Sequence, residues 1–237
     1  MKAFVGVSGF SYPAWKGGFY PDDLKTDGFL QFYASRLESV EINSSFYAVP
    51  GADVVKEWAG KTREGFKFAF KAPRQVTHVH RLGKGAADAA LGLSAVLDGL
   101  GEKRGPILFQ LPPFLKFDRE LLDGFLSNTS SIAPKAFEFR HESWLNDRTY
   151  DLLEDHGAGF CVAETDDMEP VLMVTGGIAY FRLRKDAYGA TAVGDWERRI
   201  RKTVEGADVG ECFVYFRHDE TGKNALLAEK LAVSLQS

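Results

Sequence analysis

Eight short runs rich in β-branched and aromatic residues recur along the chain, with helical patterns and turn signals between them. The starts of successive runs are about 30 residues apart on average, which is the length of a strand followed by a crossover helix. This repeat predicts an α/β fold built from parallel strands. The runs begin near Ala3, Ser39, Lys67, Pro106, Ala136, Gly159, Ile178 and Glu211.

Candidate helices fill all but one of the intervals between these runs. The exception is Thr165–Gly177, where Pro170 and the Gly176–Gly177 pair leave space for a turn or strand and no full helix. We therefore expect the sixth βα unit to be degenerate. The helices are predicted at about Thr26–Leu37, Ala52–Gly60, Ala86–Leu100, Asp118–Leu126, Asp147–His156, Asp195–Val204 and Asn224–Leu235.

Charged residues alternate with apolar ones inside several predicted strands. Phe137 and Phe139 face one way, and Glu138 and Arg140 face the other. An open parallel sheet is covered by helices on both faces, so its strands are nearly continuous apolar runs. Charges on one face instead indicate a closed TIM (β/α)8 barrel with a polar lumen, and an open doubly wound sheet is the alternative. No linker rich in Ser, Pro or Gly divides the chain, so residues 1–237 are interpreted as a single domain.

The inward-facing polar residues lie mostly towards the C-terminal ends of the strands, where barrel enzymes have their active sites. Four are cationic and two are carboxylates, a formal charge of +2 in a chain whose net charge is −4. A positive concave site predicts an anionic ligand such as a carboxylate, a phosphate or a sugar phosphate. The predicted binding residues are Ser8, Asn43, Lys71, Gln110, Arg140, Arg182 and Arg184, with Glu41 and Glu138 beside them. The competing interpretation is a purely structural network in which both carboxylates are paired to Arg and Lys.

Four side chains are candidates for catalysis: Glu41, His78, Glu138 and His141. The two carboxylates suit an electrostatic role or general-base catalysis, and His78 suits acid or base catalysis. Lys71 is a further candidate, as a proton donor or as an amine that forms a Schiff base. Carboxylates among Arg and Lys have lowered pKa values, whereas a glycosidase needs one carboxyl group that keeps its proton near neutral pH.

Neither a metal nor a cofactor is predicted. The triplet His78–His80 has no clustered Asp or Cys nearby, which makes it a poor zinc signature. Cys161 and Cys212 lie in apolar runs and predict core thiols in a reducing cytosol. Met1–Gly6 begins a strand in place of a signal peptide, and no apolar run reaches the ~18 residues that span a bilayer. We therefore expect a cytoplasmic protein without a membrane partner, of undetermined oligomeric state.

Several long blocks of the sequence resemble one known family, in that family's order. The blocks are Gly6–Tyr12 with Trp15, Gly17 and Phe19–Pro21, then Val40–Tyr47, Lys71–Pro73 with Thr77 and His78, Gly105–Pro113, and Glu138–His141 with Trp144. The family is the YecE-like family, also called domain of unknown function 72. The resemblance covers nearly the whole chain and implies a TIM barrel, likened to endonuclease IV and xylose isomerase, without an established reaction.

Two strand ends depart from the family's usual pattern. The seventh strand usually continues Arg-Leu-His-Gly, and here Arg182–Leu183 is followed by Arg184–Lys185. The eighth strand usually ends Phe-Asn-Asn-Asp, and here it reads Phe216–Asp219. The sequence therefore resembles a divergent member of the family. We expect such a member to have an altered reaction or to bind a more anionic ligand.

These observations predict an enzyme of hydrolase or lyase type that acts on a small anionic, phosphorylated or sugar-like substrate at the C-terminal barrel mouth. One alternative is a noncatalytic nucleic-acid-binding barrel, or a nucleic-acid-processing enzyme by the likeness to endonuclease IV. Another alternative is a glycoside hydrolase. Aromatic residues in loops after the strands could stack on sugars or bases, or close the barrel core. They are Phe10, Tyr12, Trp15, Phe19, Tyr20, Phe46, Tyr47 and Trp144.

Overall fold

Eight parallel strands form a closed barrel in chain order in the computed structural model, which describes residues 1–166 and 169–236. The strands are β1 (Lys2–Ser8), β2 (Ser39–Ile42), β3 (Lys67–Lys71), β4 (Arg104–Gln110), β5 (Lys135–Glu138), β6 (Gly159–Glu164), β7 (Ile178–Leu183) and β8 (Glu211–Phe216). Each begins within two residues of its predicted start. Because β1 pairs with β8 as well as with β2, the ring is closed. The TIM-barrel prediction is confirmed, and the open-sheet alternative is wrong.

The helices lie outside this ring, at the places that the sequence predicts. In the described part of the chain they are α1 (Phe29–Arg36), α2 (Ala52–Lys61), α3 (Ala86–Leu97), α4 (Arg119–Asn128), α5 (Asp147–Asp155), α6 (Ala192–Val204) and α7 (Lys223–Gln236). A 3₁₀ turn at Thr26–Gly28 precedes α1, and a 3₁₀ segment at Asp98–Lys103 follows α3. These two segments account for the longer helices predicted there.

Side-chain caps define the starts of two helices. The Asp118 carboxylate accepts a hydrogen bond from the backbone N–H of Leu121 at 3.0 Å, and α4 begins directly after it. Asn146 accepts in the same way from Thr149 at 3.2 Å, at the start of α5. Each cap satisfies a backbone donor that has no partner within the helix.

The connection between β6 and β7 carries no helix in its described residues, 165–166 and 169–177. Asp167 and Met168 lie outside the described residues. This agrees with the predicted degenerate sixth unit, and its cause is local, because Gly176 and Gly177 both have positive φ, at 62° and 69°.

The barrel has two apolar cores. The larger one lies between the outer faces of the strands and the helices. The smaller one fills the lumen, where inward-facing side chains from successive strands meet. Its buried residues are Phe4, Ala69, Leu108, Ala136, Cys161, Ile178, Tyr180, Phe213 and Tyr215. The lumen is therefore packed below the strand ends, and polar side chains can gather only above this layer. Among the described helices, none is both long and apolar enough to cross a membrane.

Candidate active site at the barrel mouth

Strand register brings the predicted polar residues to one end of the lumen. Ser8 lies opposite Glu41 in the β1–β2 pair, and Gln110 lies opposite Glu138 in the β4–β5 pair. Gln110 and Glu138 have the same inward parity as the apolar lumen residues Leu108 and Ala136, which lie two positions earlier in their strands. The polar residues of both pairs lie at the C-terminal ends, so the polar layer lies above the apolar one.

Arg182 joins the two buried carboxylates of this layer. Its Nε and Nη2 donate to the two oxygens of Glu41, both at 2.8 Å, and its Nη1 donates to Glu138 at 2.6 Å. The Arg182 side chain is 2% exposed, and both glutamate side chains are fully buried. We name Arg182, Glu41 and Glu138 the central cluster. A cluster this buried is stable only if its charges are paired and hydrogen-bonded, as they are here.

Neighbouring polar groups also donate to the carboxylates of the central cluster. Glu41 accepts from Tyr180 at 2.9 Å, from Ser8 at 2.7 Å and from the amide of Asn43 at 3.1 Å. Glu138 accepts from Gln110 at 2.9 Å and from Nε of Arg140. The oxygens of both carboxylates are therefore already occupied by donors of the protein.

These contacts determine the ionisation of the cluster. Burial opposes the charge of Glu41, but the guanidinium groups of Arg182 and Arg184 outweigh it and lower the pKa of Glu41 to about 2. For Glu138 burial is outweighed by Arg182 and Arg140, and its pKa is also about 2. Neither carboxyl group holds a proton near neutral pH, as expected for carboxylates among Arg side chains.

An open cavity of about 280 Å³ lies directly above the central cluster. Its volume is close to the lower end of the range of small-molecule sites. Lys71, Arg140, Arg182 and Arg184 all line it, so the four predicted cations converge on one space. The other lining residues are Tyr12, Asn43, Phe46, Tyr47, Gln110 and His218.

Two of the four cations have no carboxylate partner among the residues that the structure describes. Arg184 donates to the hydroxyl of Ser8 at 2.8 Å, and the Nζ of Lys71 lies 4.2 Å from the ring centre of Phe46. Burial and the charge of Arg182 lower the pKa of Arg184 to about 10. The same two causes lower the pKa of Lys71 to about 8, although Glu138 and Glu41 act in the opposite direction.

A buried acceptor faces this mouth as well. The side-chain amide N–H of Asn43 is directed to Glu41, which fixes the orientation of the amide group. Its carbonyl oxygen Oδ1 is buried and accepts no hydrogen bond from the described part of the protein. A buried acceptor without a donor is costly, so this atom favours a bound hydroxyl or amine group.

Two histidines adjoin the cationic mouth. His78 lines a neighbouring cavity that shares Gln110 and Arg140 with the first, and its ring lies 5.0 Å edge-on from Phe46. His218 stacks on Tyr12 with ring centres 4.8 Å apart. Burial, then nearby cations, lower the pKa of each histidine below 6.5. Both imidazoles are therefore neutral near pH 7 and can accept protons.

His141 does not join this group, although the sequence suggests it as a catalytic residue. It does not line either of the two cavities. Its Nδ1 accepts a hydrogen bond from the backbone N–H of Ser143 at 3.1 Å, at the start of a 3₁₀ turn. The local geometry gives His141 a capping contact.

The aromatic residues divide between the rim and the core. Tyr12, Phe46 and Tyr47 line the mouth, and Tyr47 is 84% exposed. In contrast, four others are buried in the outer core: Trp15, Phe19, Tyr20 and Trp144.

Sequence reasoning did not include Tyr180 and His218 in the site. Tyr180 has the same inward parity as Arg182, so the strand alternation is a signal that could have found it. His218 follows β8 in a loop, and no periodic pattern specifies where a loop side chain points.

Potential metal ligands are scattered over the described residues. Within residues 1–166 and 169–236, no group of three or more His, Cys, Asp or Glu side chains is arranged to hold a metal ion. Cys161 and Cys212 are both buried and unpaired.

Comparisons with known proteins identify similar chains. The family described as "Protein of unknown function DUF72" matches residues 4–237. UPF0759 protein YunF of Bacillus subtilis (strain 168) is 28% identical over 156 residues, which are 62% of this chain and 54% of that protein. UPF0759 protein YecE of Escherichia coli (strain K12) is 28% identical over 110 residues, or 46% and 37% of the two chains. The aligned part of the chain thus spans about half or less of these relatives' lengths.

Solved structures agree with the fold. A crystal structure of a DUF72 family protein from Thermotoga maritima MSB8 has a TM-score of 0.86 at 27% identity and covers 100% of both chains. Another DUF72 family protein, from Enterococcus faecalis V583, has a TM-score of 0.74 at 19% identity, over 99% of this chain and 96% of that one. The second likeness concerns the fold alone.

Proposed function

The chain belongs to the DUF72 family, whose function is unknown, and we propose that its barrel mouth is the active site of an enzyme for small anionic substrates. Lys71, Arg140 and Arg184 contact the anionic group of the substrate. The reaction is of hydrolase or lyase type, since the mouth supplies proton-transfer groups.

The observation that carries this proposal is the pair of cations without carboxylate partners. Lys71 and Arg184 both line the cavity, whereas the nearby carboxylates Glu41 and Glu138 are saturated by other donors. Holding such cations in a concave site costs free energy, which a bound anion would offset. Active sites commonly retain charges of this kind.

The central cluster has a positioning role in this proposal. Arg182, Glu41 and Glu138 hold the strand ends in register and orient Asn43 and Arg140 through hydrogen bonds. Lys71, whose pKa is about 8, and His78, whose pKa is lowered by burial and by the charges of Lys71 and Arg74, then move protons, because both glutamates are fully ionised near pH 7. The buried Oδ1 of Asn43 would accept a hydrogen bond from a substrate hydroxyl group.

The ionisation of the cluster argues against a glycoside hydrolase. Such an enzyme needs one carboxyl group that is protonated near neutral pH, and the pKa values of Glu41 and Glu138 are both about 2. Arg182 also occupies oxygens of both carboxylates, which hinders attack on a sugar carbon.

Thermal unfolding with inorganic phosphate and with malonate tests the proposal. A ligand at 100 times its Kd stabilises the folded state by about 2.7 kcal/mol. For a chain of this size that corresponds to a rise in Tm of roughly 5–11 °C. We expect Arg184→Met to lose most of the rise.

Arg198→Met is the matched control, because Arg198 is an exposed residue of α6 whose side chain pairs with Asp195. This variant should keep the full rise in Tm. Equal shifts in the wild type, Arg184→Met and Arg198→Met would mean that the anions act nonspecifically through exclusion from the surface, and would refute the proposal.

A further inference from the structure

Lys71 is an unusual amine for the end of a barrel strand. The strand end is fixed, since the backbone carbonyl of Lys71 accepts from the hydroxyl of Ser45 at 2.7 Å, and the N–H of Ala72 donates to Leu108 at 2.9 Å. The side chain enters the mouth cavity, where Nζ lies over the ring of Phe46. No carboxylate forms an ion pair with this amine in the described ranges, so it is free to react with a ligand.

We propose that Lys71 forms an imine with the aldehyde or ketone carbon of a substrate whose anionic group binds Arg184. This inference rests on the proposed function and names the substrate class of the same site, an anionic carbonyl compound. Lys71 thereby becomes the nucleophile of the site.

Imine formation needs no reactant other than the Lys71 amine and the substrate carbonyl group. The lone pair of neutral Nζ attacks the carbonyl carbon, a C–N bond forms, and the carbonyl oxygen leaves as water with two protons from the amine. No oxidant or reductant is needed. Addition of water to the imine reverses the step and releases the free amine.

The surroundings of Lys71 increase the fraction of its amine that is neutral and nucleophilic at pH 7. With a pKa of about 8, its neutral fraction at pH 7 is roughly two hundred times that of an ordinary lysine. His78 packs edge-on against the same Phe46 ring that Lys71 overlies, with the two ring centres 5.0 Å apart. A neutral imidazole there can take up a proton when the amine adds and return it when water leaves.

The anionic group of the substrate is bound by arginine side chains and not by Lys71. Within residues 1–166 and 169–236 the Arg184 guanidinium donates one hydrogen bond, to Ser8, and it lines the cavity. Lys71, once it is an imine, no longer attracts anions as a free ammonium group does. Arg184 and Arg140 must then hold the anion, while the buried Oδ1 of Asn43 accepts from a hydroxyl beside the carbonyl.

Reductive trapping tests the inference. The protein is incubated at pH 7 with glyoxylate, an anionic aldehyde, or with glycolaldehyde, its neutral two-carbon counterpart, in the presence of sodium cyanoborohydride. Hydride reduces any imine to a stable secondary amine, and peptide mass mapping then gives the modification rate at each lysine. The variants are Lys71→Arg, Arg184→Met and, as a matched surface control, Lys202→Arg.

We expect glyoxylate to modify Lys71 at least about tenfold faster than any exposed lysine. Arg184→Met should reduce the glyoxylate rate at Lys71 about tenfold, the effect of losing one charge-assisted hydrogen bond, and reduce the glycolaldehyde rate less. Lys202→Arg should leave the rate at Lys71 unchanged, and Lys71→Arg should leave only slow surface modification.

Modification of Lys71 no faster than that of surface lysines overturns the inference. If phosphate still raises Tm and Arg184→Met abolishes that rise, the proposed anion site stands and only the imine is refuted. If glyoxylate and glycolaldehyde modify Lys71 equally and Arg184→Met changes neither rate, the anionic substrate class is refuted as well.

Discussion

Arg182 shows how surroundings decide the role of a single residue. Its type and strand position predict a ligand-binding cation, yet its guanidinium donates to Glu41 and Glu138 at 2.6–2.8 Å. The structural network that the sequence left as an alternative therefore exists at the base of the mouth. The remaining positive charge lies above it, on Lys71, Arg140 and Arg184.

Replacing Arg182 should destabilise the fold. Arg182→Met leaves two buried carboxylates without their common partner, which costs about 3–5 kcal/mol. Urea unfolding at pH 7 measures this loss, and Arg198→Met is the surface control, with a change within about 0.5 kcal/mol. Wild-type stability in Arg182→Met would contradict the structural role.

Lowering the pH should decrease the free energy of unfolding, because it protonates the carboxylates of the central cluster. The pKa values of Glu41 and Glu138 are lowered from 4.5 to about 2, so the stability they contribute is full above about pH 4.5 and is lost as the pH falls towards 2. Urea unfolding across this range should show a loss on the order of a few kcal/mol. Glu138→Gln, less stable at pH 7, should show a smaller loss; parallel curves for both proteins would exclude the cluster as its source.

The Lys71 side chain should lower the free energy of unfolding at neutral pH. Because its pKa is lowered from 10.5 to about 8, the unfolded chain binds the proton more tightly, and the cost to the folded state disappears above about pH 10.5. We expect Lys71→Met to raise stability by about 1–2 kcal/mol at pH 7 and much less near pH 10. Chemical unfolding at both pH values measures this, and a destabilised variant at pH 7 would contradict it.

At the scale of the strand, alternation carries most of the predictable information about the site. Inward and outward faces could be assigned because the side-chain period of a strand is two, and all four cations predicted for the site line the mouth. The residues whose position relative to the mouth the sequence did not predict are of another kind. His218 and His141 follow strand ends in loops, where neighbouring turns determine direction. Tyr180 was overlooked because an aromatic residue in a strand suggests apolar core, although its hydroxyl donates to Glu41.

Gly6 lets β1 and β2 approach closely enough to bring Ser8 next to Glu41, and its substitution tests whether the site needs this close approach. A methyl group on Gly6 would lie 1.9 Å from the carbonyl oxygen of Ser39, so the two strands would have to separate. We expect Gly6→Ala to cost about 3 kcal/mol or more, at or above the upper end of usual overpacking costs. The separation would also move Ser8 away from Glu41.

Gly124→Ala is the control for this substitution. Apart from the adjacent residues and the nearby backbone of α4 itself, no described atom lies within 4 Å of the position of its added methyl group, so the variant should gain about 0.5–1 kcal/mol from helix propensity. Thermal unfolding compares the two variants. A harmless Gly6→Ala would show that the register of β1 against β2 is not needed at that point.

At the scale of the molecule, the fold could be predicted because a repeat of about 30 residues indicates parallel βα units, and charges on one strand face favour a closed barrel over an open sheet. Closure of the barrel brings the C-terminal ends of eight strands together, and no single sequence motif predicts that arrangement. It concentrates positive charge in one cavity of a chain whose net charge is −4. Loop conformations and the pairing of each charge depend on contacts between distant segments, so they could not be read from local patterns.

This charge distribution predicts weak interaction with nucleic acid. Binding to a phosphate backbone needs several cations on an extended surface, whereas Lys71, Arg140 and Arg184 lie together inside a recess of an acidic chain. We expect a fluorescent single-stranded oligonucleotide to show no saturable anisotropy change at about 0.15 M salt. Tight binding that falls steeply with salt would instead support the nucleic-acid alternative.

The sealed floor of the lumen limits what can use the mouth. Phe4, Tyr180 and Phe213 are completely buried beneath the central cluster. A small molecule bound above the central cluster must therefore enter and leave through the open end of the barrel, at the C-terminal ends of the strands.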